Sequence, residues 1–104
     1  MKYEYAISPE AQNDISGIYG FIIEKNNPAS AENVVSAIYE AIDYASNYPT
    51  IGMNAERHFG YETDYLFLVA LPYPYLVFYK FTNKKVYIHR VLDGRRDCVK
   101  ILNQ

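Results

Sequence analysis

Residues 74–97 constrain the fold most. Two runs rich in aromatic and β-branched residues stand on either side of Asn83-Lys84, and the second ends in Asp93-Gly94 before Arg95-Arg96-Asp97. A two-residue loop between such runs specifies a β-hairpin. With Thr82 facing Lys85, regular pairing sets Phe78 opposite His89 and Val77 opposite Arg90. One face then carries Tyr75, Val77, Tyr79, Phe81, Val86, Ile88, Arg90 and Leu92, and the other carries Leu76, Phe78, Lys80, Tyr87, His89 and Val91. The first face is the more apolar and is expected to lie under helices. The second is expected to meet solvent or a partner. A slip of one residue exchanges the faces.

The rest of the chain supplies the cover. Lys2–Ile7 alternates as a half-buried strand, and Ser8-Pro9-Glu10 is a helix start with a capping side chain, proline at the first helical position and an acid in the first turn. Ala11, Ile15, Ile18, Tyr19 and Ile22 recur at helical spacing, while Gly17 and Gly20 weaken this helix by roughly 1 kcal/mol each. Asn26-Asn27-Pro28 ends it and begins another, whose stripe is Ala31, Val34, Val35, Ile38, Ile42 and Ala45. The short link makes the helices an antiparallel hairpin. Residues 50–63 read as a loop, and Tyr65–Leu71 as a central strand buried on both faces. Cys98–Leu102 fits a short strand or a turn of helix. The expected fold is α+β, in the order β-α-α-β-β-β, with a helical hairpin on a mainly antiparallel sheet.

The 104 residues suit one domain, residues 1–104. No apolar run approaches the roughly 18 residues of a membrane span, and Met1–Tyr5 lacks a signal-peptide core. A single cysteine, Cys98, excludes an internal disulfide, and a cytoplasmic setting is expected. Residues 1–56 hold two Lys/Arg against eight Asp/Glu, a net of −6, whereas residues 57–104 hold eight against four, a net of +4. That basic half falls short of the clustered cations of a nucleic-acid-binding domain, so direct sequence-specific nucleic-acid binding by this chain alone is not expected.

Few residues carry the pattern of a reactive site. Lys80 and His89 share one expected face, and His89 has the ordinary pKa of a general base, but no nucleophile or phosphate clamp accompanies them. His58 has no metal-ligand spacing, and neither a Gly-rich phosphate loop nor a nucleophile elbow occurs, so no metal and no cofactor is expected. Cys98 reads as a small buried apolar residue. Arg90, on the apolar face, is expected to form a structural ion pair with an acid of the first helix such as Asp14. Arg95, Arg96 and Asp97 follow the last strand, where a loop can present them to a target or leave them as solvated charges.

Five segments in order resemble the ParE branch of the RelE/ParE toxin superfamily. They are Ser8-Pro9-Glu10-Ala11 with its Ile-Tyr helix, Asn27-Pro28-Ala29, the Ala-rich second helix, Tyr48-Pro49-x-x-Gly52, and Arg90-Val91-Leu92-Asp93-Gly94-Arg95-Arg96-Asp97. The resemblance implies a type II toxin neutralised by a cognate antitoxin. In its RelE branch such toxins cleave mRNA on the ribosome, and characterised ParE-branch members poison DNA gyrase. The RelE-type cations and tyrosine would fall near Phe67, Val69, Leu76 and Leu102, and only Arg96 is retained; Arg96 joins His89 and Lys80 as a catalytic candidate. The resemblance therefore points to gyrase inhibition by binding, with Arg95, Arg96 and Asp97 as contacts. An mRNA endonuclease and an inactive partner-binding member are the alternatives. Asp93 stands where the family often has histidine or another polar residue and cancels one arginine locally.

Overall fold

The computed structural model describes residues 2–25 and 27–103. Asn26, part of the expected helix break, lies outside the described residues, as do Met1 and Gln104. The chain runs β1 (Glu4–Ile7), α1 (Pro9–Glu24), α2 (Pro28–Asn47), β2 (Met53–Asn54), α3 (Ala55–Phe59), β3 (Leu66–Val69), β4 (Tyr75–Thr82), β5 (Lys85–Asp93) and α4 (Cys98–Leu102). The strands form one sheet in the order β1-β5-β4-β3-β2, with β1 parallel to β5 and the other pairs antiparallel. This is the expected α+β architecture.

Local chemistry sets the two long helices. Ser8 Oγ accepts from the Ala11 amide at 3.0 Å and donates to the His89 carbonyl at 2.7 Å, while its own amide donates to the Ile88 carbonyl at 2.9 Å. One residue thus starts α1 and fastens it to β5. Asn27 caps α2 through the Ser30 amide at 3.2 Å, with Pro28 at the first helical position. Ala31, Val34, Ile38, Ile42 and Ala45 are buried, and Val35 lies at the margin. Apart from Ala31, these join Ala11 and Ile15 in covering Tyr75, Val77, Tyr79, Val86, Ile88 and Val91 of the sheet.

The loop expected over residues 50–63 is instead partly ordered. Asn54 accepts from the Arg57 amide at 2.9 Å to cap α3, and Gly60 ends it with φ +70°. β2 pairs outside β3, but with two residues only. The expectation that Tyr65–Leu71 forms the central strand is also corrected. The central strand is β4, whose first five residues are buried, whereas most of β3 is half-buried.

At the hairpin, Asn83 (φ 52°) and Lys84 (φ 60°) form a two-residue turn with both φ values positive, matching the twist of the flanking strands. Thr82 opposes Lys85, and pairing is regular to Tyr79 opposite Ile88. There the expected register fails: Phe78 opposes Arg90, and Val77 opposes Val91. His89 is the extra residue of a bulge, and one added residue reverses the side-chain alternation beyond it. Val91 therefore packs with Val77 beneath the helices, and Leu92 joins Leu76 and Phe78 on the opposite side.

That opposite side is not the open platform the alternation suggested. Phe67, Leu76, Phe78 and Leu92 are buried there with Ala55 of α3 and with Cys98 and Leu102 of α4. The hairpin end of this face, around Lys80, Tyr87 and His89, stays accessible.

Candidate functional site

The positions at which the family resemblance would put RNA-cleaving groups lie in this second apolar cluster. Phe67, Leu76 and Leu102 are 1%, 8% and 7% exposed, and Val69 packs against them. Phe59, Phe67 and Phe78 form an aromatic triangle with centroid separations of 5.4–6.0 Å. Such a surface offers no charge to a developing oxyanion.

The three residues expected to contact a target divide into separate roles. Arg95 Nε and Nη2 donate to Asp93 Oδ1 and Oδ2 at 3.0 and 2.7 Å, and its amide donates to Oδ1 at 2.9 Å. These bonds hold the Asp93 carboxyl below its ordinary pKa. Asp97 caps α4 by accepting from the Lys100 amide at 3.2 Å. Arg96 is exposed and makes no ion pair among the described residues; it borders a groove with Asn13, Gly17, Phe21 and Tyr75. Cys98 is buried beneath this turn, its thiol 3.6 Å from the Asp93 carbonyl, and burial pushes its pKa up.

Arg90 and Asp14 meet through a fork, Nε to Oδ2 at 2.7 Å and Nη2 to Oδ1 at 2.8 Å, and the Val91 amide adds a bond to Oδ2 at 3.0 Å. The pair ties α1 to β5 just past the bulge. Hydrogen bonding to Asp14 raises the Arg90 pKa, so the guanidinium stays charged.

Lys80 and His89 do come together, around an aromatic ring rather than a nucleophile. The His89 ring stacks on Tyr65 with centroids 4.6 Å apart and planes at 14°. Lys80 Nζ lies 4.5 Å from the Tyr65 centroid and 3.1 Å from Asp64 Oδ1. The shallow notch beside them is also lined by Ala6 and Ile7, and among the described residues Lys80 is the one permanent cation lining it. Among the described residues, no group of three His, Cys, Asp or Glu could hold a metal ion.

Burial lowers the His89 pKa, and the Arg90 charge adds to the effect. The unfolded chain therefore binds the proton more readily than the folded one. The associated stability is complete above the unfolded value near 6.5 and is lost as pH falls through that value toward the folded one. Urea titrations at pH 7.5 and 5.0 are expected to show the midpoint falling on acidification, and falling less in His89→Gln. Equal falls in both proteins would refute this assignment.

A surface that the sequence reading did not single out lies on α2 and the far sheet edge. Tyr44, Tyr48, Ile51, Met53 and Leu71 are all exposed, and Tyr44 and Tyr48 contact each other at 5.1 Å. A groove of about 420 Å³ runs between Tyr44, Met53 and Leu71, with Glu40 at its margin. The pairing of Met53 with Phe67, which brings the exposed methionine to α2, has no local sequence signal. The Arg96 groove was partly signalled, since Gly17 is a poor choice for a helix interior.

Among the described residues, no helix is long and apolar enough to cross a membrane. Comparison with curated proteins finds no match. Among solved structures, the fold matches a chain described as the chromosomal ParDE TA system from P. aeruginosa, with a TM-score of 0.72 at 17% identity over 86% of this chain and 94% of that one. The family model for the ParE toxin of type II toxin–antitoxin system, parDE, matches residues 5–98, and the chain therefore belongs to the ParE toxin family.

Proposed function

We propose that this ParE-family toxin acts without catalysis, by binding DNA gyrase, and that a cognate antitoxin neutralises it. One observation carries the reading: Phe67, Leu76 and Leu102 are closed into an apolar cluster where a ribosome-dependent nuclease would need cations and a proton-transfer group. Arg96 alone does not replace that constellation. The exposed Tyr44, Tyr48, Met53 and Leu71 suit an antitoxin, because contiguous exposed apolar and tyrosine-rich surface marks a protein interface.

Expression without antitoxin is expected to arrest growth, and the purified toxin to inhibit gyrase supercoiling while leaving mRNA intact in a purified translation system. Cleavage of mRNA there, abolished by Arg96→Ala, would establish the endonuclease reading instead. Undisturbed growth with excess protein would mark an inactive member, a reading favoured only by the Asp93–Arg95 fork, which cancels one of the exposed charges.

A further inference from the structure

We propose that the groove between α1 and the end of β5 receives a segment of the toxin's target in which an apolar side chain adjoins a carboxylate. The inference rests on the toxin reading above and deepens it. The groove holds about 410 Å³ and is bordered by Asn13, Gly17, Phe21, Tyr75 and Arg96.

Its charges determine what it accepts. Asp14 is occupied by Arg90 and the Val91 amide, and Asp93 by Arg95. Arg96 borders the same space without an ion pair among the described residues, so the groove carries one positive charge beyond balance. A partner carboxylate is the complementary group, and Arg offers it a two-pronged donor.

The apolar half of the ligand follows from Gly17 and Phe21. Phe21 is 57% exposed and lies one helical turn from Gly17 on the same face. A Cβ at Gly17 would meet nothing within 4 Å, so the toxin's own packing does not require glycine there. A helix-interior glycine is unfavourable relative to alanine, and here it keeps the groove floor open for an approaching side chain. The target is the occupant rather than the antitoxin because the two surfaces differ in charge. The Tyr44–Leu71 groove has acidic Glu40 at its margin, whereas here the lining carboxylates Asp14 and Asp93 are each ion-paired and Arg96 is left over.

The test compares Gly17→Gln and Arg96→Glu with Gly20→Gln, a second helix glycine whose Cβ would also find open space but which does not border the groove. Glutamine is a good helix former, so neither glycine variant is expected to melt below wild type. Gly17→Gln and Arg96→Glu are each expected to raise the half-inhibitory concentration against gyrase by roughly tenfold or more and to relieve growth arrest. Gly20→Gln should match wild type, and all three should still copurify with antitoxin. Full potency of Gly17→Gln, or loss of antitoxin binding by it, would overturn the proposal. If wild type arrests growth but leaves gyrase untouched, while Gly17→Gln and Arg96→Glu fail to arrest, the groove stands and the gyrase reading falls. A wild type that neither arrests growth nor inhibits gyrase would overturn both.

Discussion

Replacing Gly52 with alanine is expected to destabilise the protein by about 3 kcal/mol, from overpacking and from hydrogen bonds that can no longer form. The added Cβ would lie 2.5 Å from Tyr79 Oη, 3.0 Å from Tyr79 Cε1 and 3.0 Å from Leu66 Cβ. Tyr79 cannot retreat. It is fully buried on the central strand, its hydroxyl donates to the Pro49 carbonyl at 2.9 Å, and that hydroxyl accepts from the Gly52 amide at 3.0 Å. These bonds attach the exit of α2 to the sheet. Thermal melting should fall by more than about 10 °C, given the usual relation between stability and midpoint in small domains. Tyr79→Phe alone leaves the Pro49 and Gly52 groups without that partner and is expected to cost about 1–3 kcal/mol. The two changes should not add, because removing the hydroxyl removes the closest collision. Gly52→Ala is therefore expected to cost less when combined with Tyr79→Phe than it does in wild type. Equal costs in the two backgrounds would show that Tyr79 Oη is not the obstacle.

How much of this was legible depended on how locally each feature is encoded. The Ser8-Pro9 start, the α2 stripe and the Asn83-Lys84 turn involve neighbours in sequence, and each formed as read. The bulge at His89 did not announce itself, since regular pairing from the Asn83-Lys84 turn gives no sign of it; it lies where Ser8 and Asp14 bond the His89 carbonyl and the Val91 amide. Missing it put Leu92 and Val91 on the wrong faces. The order of the strands was equally hidden. A run such as Tyr65–Leu71 shows that a strand is apolar, not that β4 separates it from β5. α3 had readable ends in Asn54 and Gly60, but five residues are too few for periodicity to show. The candidate site suffered from the same short range. Arg95, Arg96 and Asp97 read as one charged cluster, yet the turn after Gly94 gives one to Asp93 and another to the start of α4.

Removing Asp14 is expected to cost about 3 kcal/mol, the lower end for breaking a buried ion pair, because the Arg90 side chain keeps 22% exposure and part of its hydration. Asp14→Ala also leaves the Val91 amide without its carboxylate partner beside the bulge. Urea unfolding of Asp14→Ala, Arg90→Ala and the double variant measures this directly. The double variant should lose clearly less than the two singles combined, since neither charge is then stranded. Additive losses would mean that the two side chains are held independently. The same variants separate fold from function at this end of the molecule. Arg90→Ala should lose growth arrest only where the protein unfolds, so lowering the temperature restores it. Arg96→Glu reverses an exposed charge on a stable fold, and its loss of arrest should persist in the cold. Recovery of both on cooling would make Arg96 another structural residue and would leave the groove without its anchor. Persistence of both would instead place Arg90, against its ion-paired geometry, in contact with the target.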